Sequence, residues 1–170
     1  IAGLEKASSG ESILPCPYVS CISQRQEDLN DNDRSLIMDH RARARELAAQ
    51  YIARGDSQGW FEQLYREADE GKAIIPWAAR QANPNLIEFW KKNSIPTTGK
   101  TALIVGCGLG DDAEQLAAWG FQTSAFDISE SAIHTCRLRF PSSNVNYSAA
   151  DLFNPPNEWI RAFDFVVESY

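Results

Sequence analysis

The sequence has 170 residues, 44% of them hydrophobic, and a formal net charge of −7 at pH 7, so it can form one domain with a packed core but is unlike a general nucleic-acid-binding protein. Its apolar runs are far shorter than the ~20 residues that span a bilayer, and its first residues lack the pattern of a signal peptide. We therefore expect a cytoplasmic protein without nucleic-acid or membrane partners.

Residues 1–33 are rich in Ser, Asp, Asn, Glu and Gln without a sustained period, which predicts a flexible tail. Met38 is the only methionine, and we expect the functional protein to start near it. Apolar residues recur at helical spacing over residues 34–54 and again over residues 58–69. Two helices are predicted there, separated by the turn-forming residues 55–57.

Three arginines lie among the apolar residues of the first predicted helix: Arg41, Arg43 and Arg45. They are typical of a solvated helix face. A third helix is predicted to start at Asn83 and Pro84 and to run through Trp90, because asparagine is a favoured N-cap and proline fits the first helical position. Residues 34–98 are thus predicted to be a helical lead-in segment.

Residues 101–112 combine a short apolar run with glycines at alternate positions, Gly106, Gly108 and Gly110, followed by Asp111 and Asp112. This pattern predicts a strand, a tight backbone turn and the start of a helix. In open α/β sheets the carboxyl ends of the strands are where ligands bind. The glycine loop is therefore the leading candidate for a binding site.

Strands and helices alternate from residue 101 onwards. Strands are predicted at residues 101–105, 122–127, 145–150 and 163–168, with helices at residues 111–119 and 129–139 and a helical turn around Trp159. Alternation of this kind predicts an α/β fold with a Rossmann-like parallel sheet. We expect the 101–105 strand to lie between the 122–127 and 163–168 strands, and residues 99–170 to form the cofactor-binding half.

The charge of the loop bears on its ligand. A dinucleotide site has the pattern G-x-G-x-x-G, with the pyrophosphate on the helix N-terminus, but here Asp111 occupies the position of the last glycine. Asp111 and Asp112 would repel a pyrophosphate, whereas S-adenosylmethionine carries a sulfonium and an ammonium group. Charge therefore favours S-adenosylmethionine over NAD.

Residues 101–170 resemble the first half of a class I S-adenosylmethionine-dependent methyltransferase through four motifs in order: residues 105–110, 124–129, 150–153 and 163–170. The resemblance implies the following roles. The loop residues Gly106, Cys107, Gly108 and Gly110 bind the cofactor, Asp127 and Ile128 lie at its ribose, Asp151 and Leu152 lie at its adenine, and Glu168 and Tyr170 face the transferred methyl group. Ile104 stands where the family often has an acid, which removes one expected hydrogen bond at the loop.

Residues 56–90 resemble the lead-in of a subgroup that includes thiopurine and other small-thiol methyltransferases. In that subgroup the aromatic lead-in covers the cofactor and shapes the substrate pocket, which implies this role for Trp60 and Trp77. The alternative is that Trp60, Phe61 and Trp77 pack on the sheet. Asp151 also has an alternative, since it can simply open the Asp-Leu-Phe-Asn turn.

Together these patterns predict methyl transfer from S-adenosylmethionine to a small molecule, with thiols among the acceptors. The alternatives are an O- or N-methyltransferase, a non-catalytic cofactor-binding fold and an NAD-dependent dehydrogenase. Glu168 and Tyr170 are the catalytic candidates, whereas His134 is expected to lie on a helix surface or to be partly buried.

Cys16, Cys21, Cys107 and Cys136 show no metal-binding spacing, so no metal site is predicted and reduced thiols are expected. Because the chain ends at the fourth predicted strand, we expect an amino-terminal portion of a longer enzyme, with weak or no activity alone.

Overall fold

The computed structural model describes residues 40–169, with only the backbone of His40. The predicted tail, the start near Met38, Cys16, Cys21 and Tyr170 lie outside the described residues. The helices are α1 His40–Ala53, α2 Gly59–Asp69, α3 Pro84–Asn93, α4 Asp111–Ala118 and α5 Glu130–Arg139. The strands are β1 Thr101–Val105, β2 Gln122–Asp127, β3 Asn146–Ala149 and β4 Phe165–Glu168, with a 3₁₀ turn at Asn157–Trp159. Within this described part, no helix is both long and apolar enough to cross a membrane.

The four strands form one parallel sheet in the order β3-β2-β1-β4. The predicted position of β1 between β2 and β4 is confirmed. β1 is apolar and its three central residues are buried, as is usual for a parallel strand covered on both faces. The order reverses at β1, because β2 and β3 lie on one side of it and β4 on the other. The carboxyl ends of β1 and β4 thus flank the crevice where open α/β sheets bind ligands.

Most element boundaries agree with the sequence prediction because local signals set them. Asn83 caps α3 by accepting a hydrogen bond from Asn85 N–H at 2.9 Å, and Pro84 is the first helical residue. Ser129 caps α5 through Ala132 N–H at 3.0 Å. β4 begins two residues later than predicted. Near its start, the side chain of Asp164 accepts the Thr101 N–H at 2.9 Å.

The core has two clusters of buried residues. One surrounds the sheet and consists of Ala102, Ile104, Cys107, Ala113, Leu116, Phe121, Ala125, Ile133, Cys136, Val145 and Tyr147. Trp90 of α3 packs against this cluster and stacks on Trp119, with ring centroids 5.0 Å apart. Ile104, at the position where the methyltransferase family often has an acid, is 2% exposed and serves this core.

The second cluster joins the lead-in helices to the glycine loop. Its buried members are Ala44, Leu47, Leu64, Tyr65, Ile75, Leu109 and Ala132. Trp60 packs against this cluster and stacks on Phe61, with ring centroids 3.8 Å apart. The alternative that Trp60, Phe61 and Trp77 pack on the sheet does not hold for Trp60, because it packs against this second cluster and not against the cluster around the sheet.

An ion pair joins the first two helices. The guanidinium of Arg43 in α1 donates from Nε and Nη2 to the two carboxylate oxygens of Glu67 in α2, at 2.7 and 2.6 Å. Arg43 also contacts Glu46 at 2.8 Å. The prediction of a solvated helix face is thus wrong for Arg43, because the opposing helix supplies its main partner.

Candidate cofactor site at the glycine loop

The loop after β1 bends sharply because its three glycines have left-handed backbone conformations. Their φ angles are +61° at Gly106, +53° at Gly108 and +88° at Gly110. Residues with a side chain rarely adopt this backbone conformation, whereas glycine adopts it at low cost. Between them, Cys107 N–H donates to the Phe126 carbonyl at 2.9 Å, which carries the loop across the end of β2.

Asp127 ties the end of β2 to this loop. Its carboxylate accepts the Gly108 N–H at 2.9 Å on one oxygen and the Ser129 N–H at 3.0 Å on the other. An ionised carboxylate offers about four lone-pair positions. The Ile128 N–H also favours the ionised form, so only part of this capacity remains for further donors. Asp127 is 6% exposed, and this burial raises its pKa, although the backbone N–H groups counteract the rise. Ile128 beside it is partly buried.

Glu62 of α2 reaches the same turn from the lead-in. One of its oxygens accepts Ser129 Oγ–H at 2.7 Å and Ser131 N–H at 3.1 Å, and the other accepts Ser131 Oγ–H at 2.7 Å. Burial favours a higher pKa for Glu62, but the hydrogen bonds from Ser131 and Ser129 outweigh it and hold the pKa below its ordinary value. The lead-in is thus attached to the turn that follows Asp127.

Aromatic side chains of the lead-in lie over the loop. Tyr65 is 3% exposed, and a Cβ placed on Gly108 would lie 3.0 Å from its hydroxyl oxygen. That oxygen accepts a hydrogen bond from Trp77 Nε1–H at 3.2 Å. Trp60 meets Trp77 edge to face, with centroids 6.0 Å apart, and both line an open groove beside α1. The structure thus brings together the two residues predicted for the substrate pocket.

The contacts of Asp111 bear on the predicted repulsion between this residue and a pyrophosphate. Its carboxylate forms a two-pronged ion pair with Arg139 of α5, at 2.7 and 2.9 Å. Arg139 also donates to the Leu109 carbonyl. The negative charge of Asp111 is therefore compensated within the protein, and it alone does not argue against a pyrophosphate.

The other acids in the first turn of α4 also hold partners from distant segments. Asp112 accepts the Asn83 N–H at 2.6 Å and, on its other oxygen, the Ser169 hydroxyl. Glu114 accepts the Tyr147 hydroxyl at 2.7 Å. These contacts connect α4 to the lead-in, to the residue after β4, and to β3.

Two thiols lie under the loop. Cys107 and Cys136 are both buried and free, and Cys136 Sγ donates to the Gly108 carbonyl at 3.2 Å. The hydrogen bond with Cys136 and burial both raise the pKa of Cys107. The thiolate form of Cys107 is therefore disfavoured, and its side chain packs in the core cluster around the sheet.

The remaining predicted residues follow the same edge of the sheet. Asp151 accepts the Phe153 N–H at 2.9 Å, as expected if it opens a turn, and Leu152 is half exposed. Glu168 ends β4 opposite Val105 and is exposed. His134 is exposed on α5, as predicted. No group of three metal-ligating side chains occurs within residues 41–169.

Sequence reasoning missed three residues that build this site: Glu62, Tyr65 and Arg139. Each lies on a helix and contacts the loop, or the turn after β2, from far along the chain. Tyr65 had a usable signal, because it lies four residues after Phe61 and so shares its helix face. No local sequence pattern points to Glu62 or Arg139, since their partners are 67 and 28 residues away.

The fold and the loop define a Rossmann-like domain of the methyltransferase type. The sequence model of the thiopurine S-methyltransferase family matches residues 57–165, and the chain belongs to this family. It is 29% identical over 128 residues to thiocyanate methyltransferase 1 of Brassica oleracea, which covers 72% of this chain and 54% of that protein.

Among solved structures, the chain resembles the one described as "Conversion of a Disulfide Bond into a Thioacetal Group during Echinomycin Biosynthesis". The two are 27% identical, with a TM-score of 0.54 over 64% of this chain and 45% of that one. The chain thus spans about half the length of these relatives.

Proposed function

We propose that this chain binds S-adenosylmethionine at the glycine loop and serves the transfer of its methyl group to a small molecule with a sulfur acceptor. The observation that carries the proposal is the hydrogen bond from Gly108 N–H to Asp127 at 2.9 Å, at the carboxyl edge of a parallel sheet. This bond joins the glycine loop, whose backbone a ligand can approach, to the acid that is suited to accept ribose hydroxyls.

The remaining lone-pair capacity of Asp127 is suited to accept ribose hydroxyls, and the exposed backbone of Gly106 allows close approach of a ligand. Asp151 and Leu152, two and three residues beyond the end of β3, are suited to the adenine. Glu168 at the end of β4, and Tyr170 beyond it, are the candidates for the acceptor side.

When bound, S-adenosylmethionine supplies an electrophilic methyl group on a sulfonium, so the protein has little covalent chemistry to perform. Its task is to hold the acceptor in line at about 3–3.5 Å and to exclude water. Tyr65 and Trp77 are placed for the second task, because they cover the loop from the lead-in side. Trp60 extends this aromatic cover.

Three independent comparisons favour sulfur as the acceptor atom. The family is described as a thiopurine S-methyltransferase, the curated relative as a thiocyanate methyltransferase, and the similar structure concerns the conversion of a disulfide bond into a thioacetal. A thiolate is already nucleophilic near neutral pH and needs little base catalysis. This suits a site in which the thiolate form of Cys107 is disfavoured and His134 lies on a helix surface.

Calorimetric titration with S-adenosylmethionine, S-adenosylhomocysteine and NAD tests the cofactor. We expect both sulfur ligands to bind at one site and NAD to give no heat. Binding of NAD alone would favour a dehydrogenase and contradict the proposal.

Methyl transfer is then followed by mass spectrometry with thiocyanate and an aromatic thiol, against a catechol and a primary amine as matched acceptors. We expect the sulfur acceptors to give more product than the catechol and the amine, with low turnover by this chain alone. Product from the catechol or amine alone would establish the O- or N-methyltransferase alternative. Tight cofactor binding without any product from a chain extended to the length of its relatives would establish the non-catalytic one.

We also propose a cytoplasmic location. Cys107 and Cys136 interact through their thiols yet remain free, which suits a reducing compartment. Cell fractionation with an antibody to the protein tests this, and recovery in an oxidising compartment would contradict it.

A further inference from the structure

We infer that Glu62 is a positioning residue for Asp127, so that the lead-in helix α2 sets the geometry with which the cofactor's ribose is held. This inference rests on the proposed function, in which Asp127 accepts the ribose hydroxyls. It assigns to Glu62 a role in ligand recognition although Glu62 itself belongs to the lead-in and not to the sheet.

The contacts of Glu62 define its position closely. Both carboxylate oxygens are used, and the three donors are the hydroxyl of Ser129 and the hydroxyl and N–H of Ser131. The N–H of Ser131 belongs to the first turn of α5, where the backbone donors lack intrahelical partners and favour a negative charge. Glu62 therefore supplies an anionic cap to a helix other than its own.

Ser129 passes this constraint on to Asp127. Its Oγ donates to Glu62 at 2.7 Å while accepting Ala132 N–H at 3.0 Å, and its own N–H donates to Asp127 at 3.0 Å. Ser129 is fully buried. Its side chain thus has one position that satisfies both bonds, which anchors the turn whose backbone N–H holds Asp127.

The other oxygen of Asp127 holds Gly108 N–H. A continuous path of hydrogen bonds therefore runs from Glu62 through Ser129 and Asp127 to Gly108. If Glu62 is removed, Ser129 Oγ keeps the Ala132 N–H but its hydroxyl loses its acceptor, and the turn after β2 loses its attachment to α2. The Asp127 carboxylate, which this turn holds through Ser129 N–H, is then less firmly positioned for a pair of ribose hydroxyls.

The chain offers two matched controls. Asp69, also on α2, accepts the Thr135 hydroxyl of α5 at 2.9 Å. Asp69→Ala therefore loosens the same pair of helices without touching Ser129. Ser131→Ala removes one Glu62 contact and leaves the bond between Glu62 and Ser129 intact.

The experiment compares two ligands by calorimetry: S-adenosylhomocysteine and its analogue lacking both ribose hydroxyls. The ratio of their dissociation constants measures ribose recognition and is insensitive to a general loss of stability. In the unsubstituted full chain we expect a preference of about tenfold or more for S-adenosylhomocysteine, the scale of leaving a buried polar partner unpaired.

Glu62→Ala is expected to reduce this preference to about threefold or less, whereas Asp69→Ala and Ser131→Ala retain it. Glu62→Gln keeps one acceptor oxygen and is expected to give a preference between these two values. It allows the ratio to be measured if Glu62→Ala does not fold. Full preference in a folded Glu62 variant would overturn the inference while leaving the proposed function intact. Absence of any S-adenosylhomocysteine binding by the unsubstituted chain would instead overturn the proposed function, and the inference with it.

Discussion

Three glycines share a left-handed conformation in the loop after β1, yet their surroundings differ. A Cβ on Gly106 would meet nothing within 4 Å, whereas one on Gly108 would lie 3.0 Å from the Tyr65 hydroxyl. At Gly110 it would lie 2.6 Å from the Tyr147 hydroxyl. The three positions therefore have different reasons for excluding side chains: backbone strain alone at Gly106, and strain with steric conflict at the other two.

Gly108→Val is expected to abolish binding of S-adenosylhomocysteine. The side chain would push against Tyr65 and block the approach of the ligand to the backbone. Calorimetry measures the affinity, and thermal unfolding measures the stability.

Gly99→Val is the matched control. Gly99 has φ +73° with nothing within 4 Å of its Cβ position, and it lies before β1 rather than after it. We expect this variant to lose stability from strain but to keep its affinity. If Gly108→Val bound the ligand as tightly as the parent, the loop would not be the cofactor site.

Single residues also mark the limit of prediction from sequence. Asp127 could be found because it follows the glycines at a typical spacing and ends an apolar strand. The compensation of Asp111 could not, because Arg139 approaches it from 28 residues away through the packing of α5. Local patterns specify where acids lie, but their partners depend on how helices pack.

At the scale of elements, α1 is fastened to α2 by a partly exposed ion pair. Hydrogen bonds from Arg43 lower the pKa of Glu67 to about 2, against the opposing effect of burial, with Gln63 adding a further hydrogen bond. The pKa of Glu67 in the unfolded chain is the ordinary 4.5. The pair therefore stabilises the fold fully above that value, and this contribution is lost as the pH falls towards 2.

Glu67→Gln is expected to lower the free energy of unfolding by about 1–2 kcal/mol at pH 7, the scale of a charge-assisted, partly exposed pair. Near pH 2 the difference should be much smaller, since Glu67 is then about half protonated in the parent. Urea unfolding at both pH values measures this. Glu46→Gln is the control, because Glu46 contacts the same arginine with a more exposed side chain, and we expect little change. An equal loss for both variants would contradict the assigned role of the pair.

Element boundaries followed from sequence wherever a cap or a glycine defines them. β1 and β2 have the predicted bounds, and Ser129, Asn83 and Pro84 hold the predicted helix starts. The docking of the lead-in was beyond sequence reasoning. Trp60 and Trp90 have similar aromatic neighbours in sequence, but one packs with the lead-in cluster and the other against the sheet.

At the scale of the whole molecule, within residues 40–169, several elements contact the glycine loop. Asp127 holds it from the end of β2, Cys136 contacts it from α5, and Tyr65 covers it from α2. A ligand that orders the loop should therefore order α2 as well.

Hydrogen exchange with and without S-adenosylhomocysteine tests this coupling. We expect slower exchange in the glycine loop and in α2 together, and a smaller change in α3, whose Trp90 packs on Trp119. Saturation at a hundred times the dissociation constant should add about 2.7 kcal/mol of stability, visible as a higher melting temperature. Protection confined to the loop would contradict the coupling.

The acids at the start of α4 limit how this domain could be redesigned to bind a dinucleotide. The first helix after the glycines of a dinucleotide enzyme leaves its positive end vacant for a diphosphate. Here Asp111, Asp112 and Glu114 lie in the first turn of that helix, each bound to a different part of the chain. Exchanging only the ribose-side acid would therefore not convert this domain to dinucleotide use. The contacts of these three acids would have to be replaced as well. The same substitutions would therefore change both the ligand preference and the stability of the fold.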